Sequence, residues 1–152
     1  MAFFTDYTTL QATIANYLAR DDLTATIPEF IRLAEDRLAR DLRIREMLKI
    51  VTTTTTSADG TVEIPADFLA MKDLHISSTD PIQTVTFQSP SNFFRNTRAT
   101  ASGLPVFYTA LGQEFRFAPI PDTAYTLQML YYFKPAYMSS TVSSNLWLAN
   151  TP

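Results

Sequence analysis

Residues 43–56 read Arg43-Ile44-Arg45-Glu46-Met47-Leu48-Lys49-Ile50-Val51-Thr52-Thr53-Thr54-Thr55-Thr56, and the chain changes its period inside this stretch. Before about residue 48, apolar side chains return with helical spacing. After it they alternate with period two. The threonine run is not low complexity in a physical sense, because a β-branched side chain suits a half-exposed strand. The switch divides the sequence into a helical beginning and a β remainder.

Upstream, the spacing predicts two helices. The first covers about Thr9 to Arg20, with Thr8 and Gln11 reading as a capping box and Tyr7, Leu10, Ile14, Tyr17 and Leu18 forming one stripe. Asp21-Asp22 ends it. The second runs from about Ile27 to Met47. Thr26 and Glu29 read as its capping box, and Pro28 stands in the first turn, where its missing N–H costs nothing. Ile27, Phe30, Ile31, Ala34, Leu38 and Leu42 form its expected buried stripe. Asp36 to Arg40 and Asp41 to Arg45 have the spacing and order of favourable ion pairs. The short linker makes the pair a helical hairpin.

Downstream, Lys49 to Ser57 and Thr61 to Pro65 read as strands joined by a hairpin turn at Asp59-Gly60. Lys72 to Ser77 follows, with Leu74 and Ile76 inward. After a turn at Asp80-Pro81 comes Ile82 to Gln88, with Val85 and Phe87 on one side. Ser89 and Pro90 open a short helix over about residues 91–98. Val106 to Leu111 and Glu114 to Ala118 make a hairpin across Gly112-Gln113, with Phe115 and Phe117 facing away from Arg116. The clearest strand is Tyr125 to Phe133. Leu127, Met129 and Tyr131 lie on one face, and Leu130 and Tyr132 make the other face apolar too, so this strand is buried on both sides or meets a partner. Asn145 caps a helix start at Leu146-Trp147-Leu148.

The expected architecture is therefore α+β: an N-terminal two-helix hairpin, then a small antiparallel β domain, sandwich or barrel-like, with one short inserted helix. The expected divisions are a helical hairpin over 1–48, an antiparallel β lobe over 49–138 containing the helix at 91–98, and a tail over 139–152.

Composition narrows the chemistry. Twelve Lys and Arg against fifteen Asp and Glu give a net charge of -3, the wrong sign for a dedicated nucleic-acid binder. The absence of cysteine removes disulfides, thiolate nucleophiles and sulfur-ligated zinc. Met1-Ala2-Phe3-Phe4 is too short for a signal peptide, and no apolar run has the length of a membrane span. His75 is the single histidine, set in a strand, and no G-x-S-x-G elbow accompanies it. No EF-hand, H-E-x-x-H or phosphate-binding loop occurs, and three glycines are too few for a phosphate cradle. Asp21-Asp22 reads as a turn. No catalytic, cofactor-binding or metal-binding residue is assigned.

The distinctive polar feature is the second helix, whose outer face carries Arg32, Arg37, Arg40, Arg43 and Arg45 among its acids. The plain reading is a solvated face neutralised by its own carboxylates. The functional reading is a contact between subunits, since faces of mixed sign pair between identical neighbours. With Tyr132 and Trp147, these arginines are the candidate subunit or partner interface.

The run Tyr17-Leu18-Ala19-Arg20-Asp21-Asp22-Leu23, then Ile27-Pro28-Glu29-Phe30-Ile31, Leu33-Ala34-Glu35, Arg37-Leu38, Arg40-Asp41-Leu42-Arg43 and Met47, resembles the N-terminal pattern of phage head-to-tail adaptor (connector) proteins of podovirus-like phages. Ile64-Pro65-Ala66-Asp67-Phe68-Leu69, Gly103-Leu104-Pro105 and Tyr131-Tyr132-Phe133-Lys134-Pro135 extend the resemblance over nearly the whole chain. In that family the pattern continues past Leu148 with further helix, whereas this sequence stops at Pro152.

The resemblance implies a virion protein without catalytic residues or cofactors, assembled in the host cytoplasm and placed at the head–tail junction. It implies a homo-oligomeric ring, commonly a dodecamer. Its implied partners are identical subunits, the portal protein and a tail nozzle or hub protein, with double-stranded DNA passing non-specifically through the channel and no membrane involved. A mildly acidic conduit suits DNA that must slide. The competing reading is a carbohydrate- or receptor-binding β module of a phage tail, with exposed tyrosines as a stacking platform. A cell-wall hydrolase with a carboxylate pair is a third class, which no motif supports.

Overall fold

The structure is a computed structural model that describes residues 6–20, 22–56, 60–96 and 101–149. It is α+β, as the change of period requires. The chain runs through α1 (Tyr7–Leu18), α2 (Ile27–Asp41), a turn of 3-10 helix (Arg45–Met47), β1 (Leu48–Thr54), β2 (Thr61–Glu63), β3 (Phe68–Ile76), β4 (Gln83–Thr84), β5 (Thr86–Phe87), α3 (Pro90–Asn96), β6 (Phe107–Leu111), β7 (Glu114–Ala118), β8 (Thr126–Phe133) and α4 (Leu146–Ala149). It forms two compact units: a helical unit of residues 1–47 and 134–152, and a β unit of residues 48–133.

The β unit holds two four-stranded sheets, ordered β1-β8-β3-β4 and β2-β7-β6-β5. Their inward residues share one core: Leu74, Ile76, Leu127, Met129 and Tyr131 from the first sheet and Val62, Tyr108, Phe115 and Phe117 from the second, with Val85 between β4 and β5. Phe68 and Phe115 meet edge-on across the sheets, with centroids 5.4 Å apart. The alternation in β8 does what its sequence dictates, since Leu127, Met129 and Tyr131 are buried. The β6–β7 hairpin turns at Gly112, whose φ of 63° is easy only for glycine.

Three β expectations are corrected. The strands on either side of residues 57–60 do not form a hairpin: β1 pairs with β8, and β2 pairs with β7 in the other sheet. Asp59 itself lies outside the described residues. Alternation specifies a strand but not its neighbour. Here Ile50 and Val51 stand opposite Leu130 and Met129, while Val62 stands opposite Phe115. The expected strand over residues 82–88 is two short strands, because the chain crosses between sheets at buried Val85, and Phe87 faces outward. The lobe is also not wholly antiparallel, since β5 and β6 run parallel. The inserted helix starts at Pro90 as its proline predicts, and residues 97 and 98 lie outside the described residues.

In the helical unit, α1 and α2 pack with α4 around Ile27, Ile31, Met138 and Leu148, with Tyr7, Leu10 and Ile14 against them. The caps differ from expectation. Asp6, not Thr8, caps α1 by accepting from the Thr9 N–H at 2.8 Å, and the Thr9 hydroxyl closes the box. Tyr17 is 91 % exposed and takes no part in the buried stripe. Thr26 does not cap α2, since its hydroxyl donates to the Leu23 carbonyl instead. The second helix ends at Asp41, not near Met47, and Leu42 turns extended. Asn145 caps α4 as read, its side-chain oxygen accepting from the Trp147 N–H at 3.1 Å.

Candidate assembly surface

Helix α2 buries Ile27, Ile31, Glu35 and Ala39, one residue per turn at a strict spacing of four. The expected stripe was rotated from this one: Phe30 is 51 % exposed, and Leu38 and Leu42 are also open. Glu35 is only 4 % exposed, which a carboxylate tolerates when its oxygens are satisfied. Glu35 accepts from the Met138 N–H at 3.2 Å and from the Asn145 side-chain amide, drawing the C-terminal segment onto the helix. The Tyr7 N–H donates to the Ser143 carbonyl at 2.7 Å, fastening the same segment to the start of α1.

The next residue makes a second fastening. Asp36 Oδ1 accepts from Lys134 Nζ at 2.7 Å and from the Tyr137 hydroxyl. Hydrogen bonds from Lys134 and then Tyr137 hold the Asp36 carboxyl below the usual carboxylate value, and Asp36 in turn raises Lys134. Asp36 thus serves Lys134 and not Arg40, so the expected i,i+4 pair does not form.

The candidate arginines divide by direction. Arg32 lies over the Tyr137 ring, 4.6 Å from its centroid. Arg43 turns back on the helix end, its Nη1 donating to the carbonyls of Ala39 at 2.6 Å and Leu42 at 2.7 Å, which makes it a cap. Arg37 and Arg40 share the single carboxylate of Asp41, at 3.6 and 3.5 Å, so the expected Asp41 to Arg45 pair is replaced by these contacts. Arg45 is exposed in the 3-10 turn. Tyr132 belongs to the other unit. It lies on the outward face of β8, opposite Leu48 and Ala70, and is partly buried.

Trp147 lines an apolar groove of about 280 Å³ in the helical unit, together with Leu10 and Ile14 of α1 and Phe30, Ala34 and Leu38 of α2. Arg37 and Arg40 are exposed and Trp147 is partly buried in the same unit, while Arg32 and Arg43 are occupied within it. Sequence reasoning missed the roles of Glu35, Lys134 and Tyr137, and read Asn145 only as a helix cap. The available signal was the four-residue spacing of Ile27, Ile31 and Ala39, which puts Glu35 in the same line.

His75 stands in β3, its ring nitrogens meeting Asp73 Oδ2 at 3.2 Å and Gln128 Oε1 at 3.0 Å. Among the described residues no group of three or more His, Cys, Asp or Glu could hold a metal ion, and no helix is long and apolar enough to cross a membrane.

The family model described as SU10 adaptor protein matches residues 5–152. No match is found among curated proteins.

Proposed function

Since the chain belongs to the SU10 adaptor protein family, a family of phage head–tail adaptors, we propose that it is a non-enzymatic connector that closes into a homo-oligomeric ring between the portal protein and a tail nozzle or hub protein. The observation that carries this reading is the extent of the family match, which spans both units. Arg32, Arg37, Arg40, Arg43, Arg45 and Trp147 of the helical unit, and Tyr132 of the β unit, supply the faces that meet identical neighbours or those partners, with Arg32 and Arg43 also engaged within their unit. A ring contact is heterologous, so each copy can use different patches on its two sides. The apolar outward face at Ile50, Leu130 and Tyr132 supplies one such patch, and the arginine-bearing side of α2 another. A net charge of -3 favours passage of double-stranded DNA through the channel over retention of it.

Purified protein is to be mixed with the portal protein of the same phage and examined by mass photometry and negative-stain imaging. The expected result is a closed ring, the dodecamer that the family resemblance implies, stacked coaxially on the portal. A persistent monomer in the presence of portal, binding glycan through its tyrosines, would replace this reading with the tail-module alternative.

A further inference from the structure

The helical unit leaves an apolar groove uncovered. The groove beside α2 has Phe30 as its outer lip, and Leu33, 65 % exposed, carries the apolar strip onto the outside of the helix. Phe30, Leu33, Arg37 and Arg40 follow one another at three- and four-residue steps, so they share one helix face. Phe30 to Arg40 spans about 15 Å at 1.5 Å per residue, or roughly three turns.

Charge on this face is unbalanced. Glu35 is turned inward and Asp36 is occupied by Lys134 and Tyr137. Asp41 alone answers both Arg37 and Arg40, at distances beyond a good hydrogen bond and in exposed positions where such pairs are weak. Glu29 lies at the other end, a turn before Leu33. The face is thus apolar in its first half and positive in its second.

We infer that this groove and strip receive an amphipathic α-helix of another virion protein, whose apolar side seats against Phe30, Leu33, Leu38 and Trp147 and whose acidic flank meets Arg37 and Arg40. The inference rests on the connector reading above and names the kind of partner segment it implies. Apart from Met138 the lining comes from α1, α2 and α4, and it holds no strand edge, so recognition is by side chains at helical spacing and not by strand addition. A second copy of this chain offers no suitable helix. Helix α1 has no charged residue, α3 carries Arg95, α4 is Leu-Trp-Leu-Ala, and α2 sets one exposed carboxylate, Glu29, beside Phe30 and Leu33 on a face that otherwise brings the same arginines. Electrostatic complementarity therefore selects a partner with carboxylates beside its apolar stripe.

Trp147 is the chain's single tryptophan and lines the groove, so its emission reports occupancy directly. The probe is a synthetic helical peptide of about three turns, the length of the strip, with leucines on one face and glutamates beside them. A lysine-flanked version and a scrambled version are the controls. The glutamate peptide should give a saturable blue shift, the lysine peptide should bind about tenfold or more weakly, and R37E/R40E should reverse that order. The doubly polar variant F30S/L33S should weaken both peptides. All four positions are exposed, so circular dichroism and melting of the free variants should match the parent. An emission change that does not saturate, equal binding of both charged peptides, or an emission shift with protein concentration alone would overturn the inference. The last would mean that a second copy fills the groove.

In complementation of a phage lacking this gene, F30S/R37E/R40E should give particles without a joined tail. If those particles are complete while the parent protein is present in virions, the groove inference falls and the connector reading stands. If the parent protein is absent from virions, the connector reading falls whatever the peptides show.

Discussion

The two units carry the same polar device in different settings. In the β unit, Asp67 accepts from Lys49 Nζ and from the Tyr131 hydroxyl, both at 2.7 Å. In the helical unit, Asp36 accepts from Lys134 Nζ and the Tyr137 hydroxyl. Each lysine also lies near an aromatic face, Phe133 at 5.9 Å and Tyr137 at 4.5 Å. Tyr131, however, is a fully buried member of a ten-residue core, whereas Tyr137 is only partly covered and its unit has four buried apolar residues in its core. In the sandwich the aspartate finishes a structure that apolar burial already holds. In the helical unit the carboxylates of Glu35 and Asp36 do much of the holding, and an apolar groove stays open. The β unit is thus the frame, and the helical unit leaves an apolar groove open.

The most damaging single change should be in the frame. Phe115 is buried and meets Phe68 and Tyr108 edge-on, at 5.4 and 5.6 Å. Phe115→Ala removes contacts from both sheets at once and should cost about 3–5 kcal/mol, read from urea unfolding followed by far-UV circular dichroism. A cost below about 1 kcal/mol, well under the usual range for a buried aromatic, would break the comparison by showing that the sandwich is not closed by its aromatic core.

A smaller and more local loss is expected at Glu35. Glu35→Ala leaves the buried Met138 N–H without its acceptor and takes one of two acceptors from the Asn145 amide, which keeps the Ala136 carbonyl, a penalty of about 1–3 kcal/mol. Amide exchange should quicken over residues 138–148 and Trp147 emission should shift to the red, while β3 and β8 keep their protection. Glu35→Gln keeps an acceptor oxygen and should recover part of the loss. Equal deprotection of β8 would mean that the C-terminal segment is not held locally.

Much of the fold was legible because the two periodicities are physically distinct. Residues 27–41 could not make a strand, nor 126–133 a helix, and the Gly112 hairpin was fixed by local turn chemistry. Strand partners were not legible. Val62 and Val51 satisfy alternation equally well, and only the assembled core separates them into different sheets. Glu35 was misread for a related reason. A charged residue in a helix is assigned to solvent unless its hydrogen-bond donors are known, and Met138 and Asn145 lie about a hundred residues away in sequence. The arginines read as one group in the sequence, but their directions depend on Tyr137, Asp41 and the helix end, none of which spacing alone ranks.

The matched aspartates give the finest test of the difference between the units. Burial pushes the Asp67 carboxyl up, but hydrogen bonds from Lys49 and Tyr131 outweigh it and leave the group below its usual value. Asp36 is lowered by Lys134 and then Tyr137. A carboxyl lower in the folded than in the unfolded chain contributes stability that is complete above the unfolded value, about 3.9, and lost as pH falls through the folded one. Both groups should therefore steepen the loss of stability below about pH 4. Asp67 binds a tyrosine buried in the core and Asp36 one near solvent, so replacing each carboxylate should not have equal effects. Urea midpoints at pH 7 and pH 3 should show D67N flattening the acid limb more than D36N does. At pH 7, D67N should lower the midpoint of the sheet transition, while D36N should act on Trp147 emission and leave the sheet signal in place. If D36N flattens the acid limb as much as D67N, polar fastening matters equally in both units, and the distinction between frame and open groove loses its electrostatic support.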